Sequence, residues 1–150
     1  MIDPHIAFQL AGLVATLGWL ALIVSLFVAA ARPAAWTAAR WAIPALLGLA
    51  YVLLLSAGFE EAEGGGFGSI GEVRALFASD SALAAGWLHY LAFDLFVGSW
   101  IAQLGLEARI PALLLVPCLV LTFLAGPAGL LLFLVLRLAF GTRAQQETAS

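Results

Sequence analysis

The sequence contains no lysine and no asparagine, and its 150 residues include one cysteine (Cys118) and two histidines (His5 and His89). Without lysine, and with a net charge of −3, it offers no basic patch for nucleic acid. A single cysteine excludes an internal disulfide and a cysteine-based zinc site. Two histidines are far fewer than the repeated histidine clusters of membrane di-iron enzymes, so no metal and no cofactor is expected. Charged residues make up 10% of the chain, against roughly 25% in a soluble domain. The N-terminus is acidic rather than basic, and the apolar run after it outlasts a signal-peptide core. That predicts a retained first span.

Apolar side chains take up the difference: 64% of residues are hydrophobic and the mean hydropathy is +1.09. This is the composition of an all-α integral membrane protein. Apolar runs near 6–31, 41–58, 82–104 and 110–140 predict a four-helix transmembrane bundle forming one domain over residues 1–150. At about 1.5 Å of rise per residue, roughly 20 residues cross the hydrocarbon core. The last run is too long for one upright helix and contains Pro117 and the "GPAG" of residues 126–129. It is either one tilted, kinked helix, the favoured reading, or a re-entrant hairpin turned at Gly126-Pro127.

Arginines locate the cytoplasmic side. Arg32 and Arg40 flank the expected first loop and Arg109 lies in the third. The second loop, residues 59–81, carries Glu60, Glu61, Glu63, Glu72 and Asp80 against Arg74 alone. The N-terminus and this acidic loop are therefore expected outside. Lysine-free, alanine-rich usage suggests a GC-rich bacterial genome, hence the bacterial inner membrane. Arg137 and Arg143 conflict with four full crossings, and a re-entrant hairpin would remove the conflict. Within the second loop, Ser69 and Glu72 form a capping box before Ile70, Val73, Leu76 and Phe77, which predicts a short interfacial helix. Asp80 or Ser81 is expected to cap the third span.

The third span holds the chemistry: "GWLHYLAFDLFVGSWI", residues 86–101. At about 100° per residue, Leu88, Leu91, Ala92, Leu95, Ser99 and Ala102 fall on one uncharged stripe, expected to face lipid. His89 shares a sector with Gly86, Phe93, Phe96 and Trp100. Asp94 lies about 140° away, beside Trp87, Tyr90 and Gly98. Both polar residues are thus expected to point into the bundle. Asp94 is the one acidic residue of nine placed deep in a span. An aspartate at the bilayer centre costs about 2.5–3.5 kcal/mol on insertion scales, which marks it as a candidate functional residue. Residues i and i+5 do not face each other directly, so a shared ligand suits the two better than a direct bond. The alternatives are structural. Asp94 can bond a backbone group freed at Pro44, Pro117 or Pro127, His89 can bridge helices, and Trp87 and Trp100 can anchor at the two interfaces.

The stretch "GWLHYLAFDLFVG", with "GGGFGS" before it and "PCLVLTFLAGPAGLLLFLVLR" after it, resembles the membrane-protein family of the plant neoxanthin-synthesis factor, named for abscisic-acid deficiency. The elements carrying the resemblance are Trp87, His89, Asp94-Leu95-Phe96 and Gly126-Pro127. The resemblance implies a four-span protein of carotenoid-containing membranes, possessing or assisting a redox-neutral isomerase activity that opens a xanthophyll epoxide to an allene. On that implication His89 and Asp94 are the catalytic base and acid. Trp87, Tyr90, Phe93, Phe96, Gly98 and Trp100 line the site for a xanthophyll or related polyene. The competing expectation is a non-catalytic structural or assembly subunit of a pigment–protein complex, as a homo-oligomer or with larger partners in the lipid bilayer.

Overall fold

A single apolar segment in lipid satisfies every backbone group within itself as a helix, whereas strands must close into a barrel to do so. A computed structural model describes residues 2–147, with side chains described for residues 2–140, and all regular structure among them is helical. Helix α1 covers Pro4–Phe27, α2 Arg32–Thr37, α3 Ile43–Glu61, α4 Ile70–Leu76, α5 Asp80–Glu107, α6 Ala112–Ala125 and α7 Pro127–Glu147. Among the described residues, three helical stretches are long and apolar enough to cross a membrane: Pro4–Phe27, Ala29–Glu61 and Asp80–Glu107. Their outer faces are greasy. On α1, Leu10, Leu13, Leu17, Leu20, Val24 and Phe27 form an exposed stripe at helical spacing.

The expected first loop is absent. Only Val28 separates α1 from a tight turn at Ala29–Ala31, and the chain stays helical from there to Glu61. Arg40 thus lies within a helix, in the wider π-turn of Ala38–Ala42. Pro44 explains that widening: it has no N–H for the carbonyl of Arg40 and its ring crowds that carbonyl. The Arg32 side chain turns back to donate from Nε to the Ser25 carbonyl at 3.1 Å, closing the C-terminal end of α1.

The favoured single helix for the last apolar run is also corrected. Helices α6 and α7 are separated at Gly126 and pack against each other. Gly129 sits on the α6 backbone, where an added Cβ would overlap the Thr122 amide and stand 2.5 Å from the Cys118 carbonyl oxygen. In a straight helix, residues 118 and 129 would lie about 16 Å apart along the axis. The chain therefore folds back at the "GPAG" turn. Among the described residues the apolar parts of the two legs, Ala112–Ala125 and Pro127–Phe140, are both shorter than the three spanning helices, so a fourth full crossing is not shown. Arg143 lies beyond the residues whose side chains are described.

The chain packs as two units, Met1–Thr16 with Ile43–Phe93, and Leu17–Ala42 with Asp94–Ser150. The core of the first is built from Ala11, Ala15, Leu47, Leu54, Ala84, Ala85, Leu88, Leu91 and Ala92. Gly58 lets α3 close on α5, since a Cβ there would lie 2.6 Å from that of Ala82. Glu61 then accepts from the hydroxyls of Ser79 at 2.5 Å and Ser81 at 2.9 Å. Ser79 also accepts from the Ala82 amide, so it caps α5 in place of the expected Asp80 or Ser81. Ser69 caps α4 as expected, accepting from the Glu72 amide at 3.2 Å, while Glu72 accepts from the Gly68 amide. In the second unit the Trp19 ring lies on Gly98 and on Phe123. Leu115 fills the space over Gly105.

Candidate functional site

The stripe expected to face lipid is the interior. Leu88, Leu91, Ala92, Leu95, Ser99 and Ala102 are all buried. His89, expected to face inward, is exposed, as are Trp87, Phe93, Phe96 and Trp100. The reason is a property of membranes. Lipid is as apolar as leucine, so helices associate through close packing, and small residues let their backbones approach. A stripe of Ala, Leu and Ser closes tightly, whereas the sector of Phe93, Phe96 and Trp100 is bulkier and is left outside.

In the first unit, aromatic rings build a wall along the first half of α5. Phe8 meets Trp87 at 5.5 Å between ring centres, and Trp87 stacks on Tyr90 at 5.5 Å with 22° between planes. One turn between 87 and 90 places these two rings on the same face of the helix. The wall lines an open, mostly apolar hollow of about 560 Å³, bordered also by His5, Phe77, Asp80, Leu83 and Gly86. At its margin His5 Nε2 stands 3.5 Å from Asp80 Oδ2, and both side chains are well exposed.

His89 lies on a neighbouring face. Its ring stacks on Phe93 at 4.5 Å and tilts against Tyr51 at 5.5 Å. Together with Tyr51, Leu55, Phe67, Phe77 and Gly86 it lines a smaller hollow of about 230 Å³. An imidazole left exposed on the helix face and flanked by rings can exchange a proton with a molecule lying on that surface.

Asp94 belongs to the second unit. It is half-buried, and its carboxylate lies on the hairpin turn: a Cβ added to Gly126 would stand 2.6 Å from Oδ1 and 3.1 Å from Oδ2. That is the N-terminal end of α7, where backbone amides lack helical partners and a negative charge is favoured. Gly98 is occupied by the Trp19 ring, which a Cβ there would meet at 2.5 Å. Trp100 stands edge-on to Phe133 at 5.7 Å. The predicted site residues thus divide: Trp87, His89, Tyr90 and Phe93 in the first unit, and Asp94, Phe96, Gly98 and Trp100 in the second.

Sequence reasoning missed His5, Phe8, Phe77 and Asp80 as lining residues. The available signal was weak. The interfacial reading of Phe77 brought it near the start of α5, whereas nothing local marks the N-terminal turn of α1. Arg40 was missed as well. It donates from Nε to Ser99 Oγ and from Nη2 to the Ser99 carbonyl, each at 3.3 Å, where a loop arginine had been expected. Among the described residues, no cluster of three or more His, Cys, Asp or Glu side chains could hold a metal ion.

The family model described as ABA DEFICIENT 4-like matches residues 6–133. Neither curated proteins nor solved structures give a match.

Proposed function

The chain belongs to the ABA DEFICIENT 4-like family, and on that premise we propose that it binds a carotenoid or related polyene along the aromatic wall of the larger hollow. At the level of the family it is a carotenoid- and neoxanthin-related membrane protein. The observation that carries the reading is the run of three rings in contact, Phe8, Trp87 and Tyr90, lining one apolar hollow. A polyene is flat, rigid and apolar, so it stacks on such a wall with little loss of conformational freedom. Purification from a carotenoid-producing host tests this directly: the protein carries extractable pigment, and a colourless preparation would refute it.

In the catalytic form of this reading the reaction is a redox-neutral isomerisation. Opening an epoxide to an allenic alcohol removes a proton from carbon, breaks one C–O bond and returns a proton to oxygen. His89, exposed beside the smaller hollow, serves as the base. Asp94, the acid that the family resemblance implies, is tested separately. His89→Ala and Asp94→Asn are each expected to change the pigment profile of a producing strain, and an unchanged profile removes that residue from the chemistry.

A structural or assembly role is the second reading. Its support is the carboxylate of Asp94 against Gly126, a placement suited to holding a turn. Normal pigments in a deletion strain, with the protein co-purifying in a larger complex, would decide for it. In either case the proposed orientation keeps the N-terminus and the acidic loop outside. The reversal at Gly126 returns the Arg137 end of α7 toward the side of Arg109.

A further inference from the structure

The two hollows of the first unit are neighbours, and they share two lining residues, Phe77 and Gly86. The Phe77 ring lies directly over Gly86: its Cε1 and Cζ would stand 3.0 and 3.2 Å from an added Cβ. Phe77 follows the last turn of α4 and remains 39% exposed, so its ring is not enclosed on every side. On one side of it lie the Phe8–Trp87–Tyr90 wall and the His5–Asp80 pair; on the other lie Tyr51 and His89. From Asp80 to His89 the helix rises about 13 Å, more than a single cyclic end group needs.

We propose that Phe77 sets the length of ligand the protein accepts. Its ring partitions one groove into two hollows, and a long polyene seats across Gly86 only when that ring swings aside. A short molecule with one ring seats in the larger hollow alone. Gly86 is glycine for the same reason: its bare backbone is the floor over which the ring, or the ligand replacing it, must pass. The inference rests on the polyene-binding reading and adds to it a residue that discriminates by length.

The test uses the full-length chain in lipid nanodiscs and two probes, β-carotene as the long polyene and β-ionone as a single end ring with a short tail. Binding is followed by the absorption shift of each probe. Phe77→Ala removes the partition and is expected to tighten β-carotene about tenfold, with β-ionone changed less than about twofold, the scale on which pocket contacts discriminate. Phe77→Trp enlarges the partition and should weaken β-carotene by a similar factor. Gly86→Ala presses on the same ring from beneath and should act like Phe77→Trp, which covers the case of a Phe77 variant that fails to fold. Equal changes for both probes, or none for either, overturn the length role and leave the binding reading intact. Absence of binding by either probe to the unaltered protein overturns both.

Discussion

The carboxylate of Asp94 rests on the Gly126 turn, with Oδ1 only 2.6 Å from where a Cβ of residue 126 would be. A negative charge at the N-terminal end of a helix is worth about 0.3–1 kcal/mol, and up to about 2 in partly buried settings. Asp94→Asn keeps the size and an acceptor but loses any negative charge at that helix end, so a carboxylate ionised there predicts a stability loss of about 1 kcal/mol and a protonated one predicts none. Gly126→Ala forces a methyl group against the same oxygen and should cost about 1–3 kcal/mol, the range for overpacking. Reversible unfolding in detergent measures both. If Asp94→Asn unfolds like the unaltered protein yet abolishes pigment conversion, the carboxylate acts on substrate rather than on the turn.

Gly129 should be the least replaceable glycine of the second unit. Besides the Thr122 hydroxyl, its nearest neighbours across the hairpin are backbone atoms, the Thr122 amide and the Cys118 carbonyl, which cannot rotate away as a side chain can. Gly129→Ala must therefore part α6 from α7, and folded protein recovered after solubilisation should fall severely. Gly12→Ala is the control, since nothing lies within 4 Å of a Cβ there. In mid-helix it should be neutral or stabilise by up to about 1 kcal/mol. Equal yields for the two variants would mean that the hairpin does not depend on this contact.

The helical architecture was readable because apolar runs, caps and prolines are local signals: α4 begins where Ser69 and Glu72 place it. The facing of α5 was not. A wheel that assumes polar residues turn inward reverses the side on which Leu88, Leu95 and Ser99 lie, because in lipid close packing, not apolarity, decides which face is buried. The turn at Gly126 was visible as a proline–glycine break, but a kink and a reversal have the same sequence. What separates them is Gly129 meeting Cys118, a contact across eleven residues. The larger hollow depends likewise on bringing His5 and Phe8 to Asp80 and Trp87, and no periodicity along the chain encodes that meeting.

Arg109 ends α5 with a left-handed backbone, φ 57°, a conformation that favours glycine. The Ile110 amide donates to the Gly105 carbonyl at 2.9 Å and the Arg109 amide to that of Leu106 at 3.0 Å, the paired bonds that close a helix through a left-handed residue. Arg109→Gly removes the Cβ penalty, roughly 1 kcal/mol, and should raise the unfolding midpoint. A lowered midpoint would show that the side chain contributes more than its backbone costs.

The fork of Arg40 on Ser99 predicts an ordering among three variants. Arg40→Ala removes both donors, Arg40→Lys keeps the charge without the fork, and Ser99→Ala removes Oγ but leaves the carbonyl acceptor. With about 1 kcal/mol for each net bond, the loss should be greatest for Arg40→Ala and least for Ser99→Ala. Arg40→Lys should fall nearer to Arg40→Ala, because a point charge cannot reach both acceptors in one plane. Unfolding of the three variants in a single detergent checks the order, and a Lys variant indistinguishable from the unaltered protein would show that charge alone matters.

The hairpin carries a topological consequence that labelling can decide. Helix α6 has 14 residues and is therefore about 21 Å long, short of the roughly 30 Å hydrocarbon core. A chain that turns back at its end leaves the membrane on the side it entered. Glu107 and Arg137 should then share a side, and Glu63 in the acidic loop should lie on the other. With the buried native thiol removed by Cys118→Ala, single Glu63→Cys, Glu107→Cys and Arg137→Cys variants can be treated in intact cells with a membrane-impermeant maleimide. Glu63→Cys should label at once, whereas the other two should label only after the membrane is opened. Labelling of Arg137→Cys together with Glu63→Cys would mean that the last two helices cross completely, and the proposed orientation of the hairpin would fall.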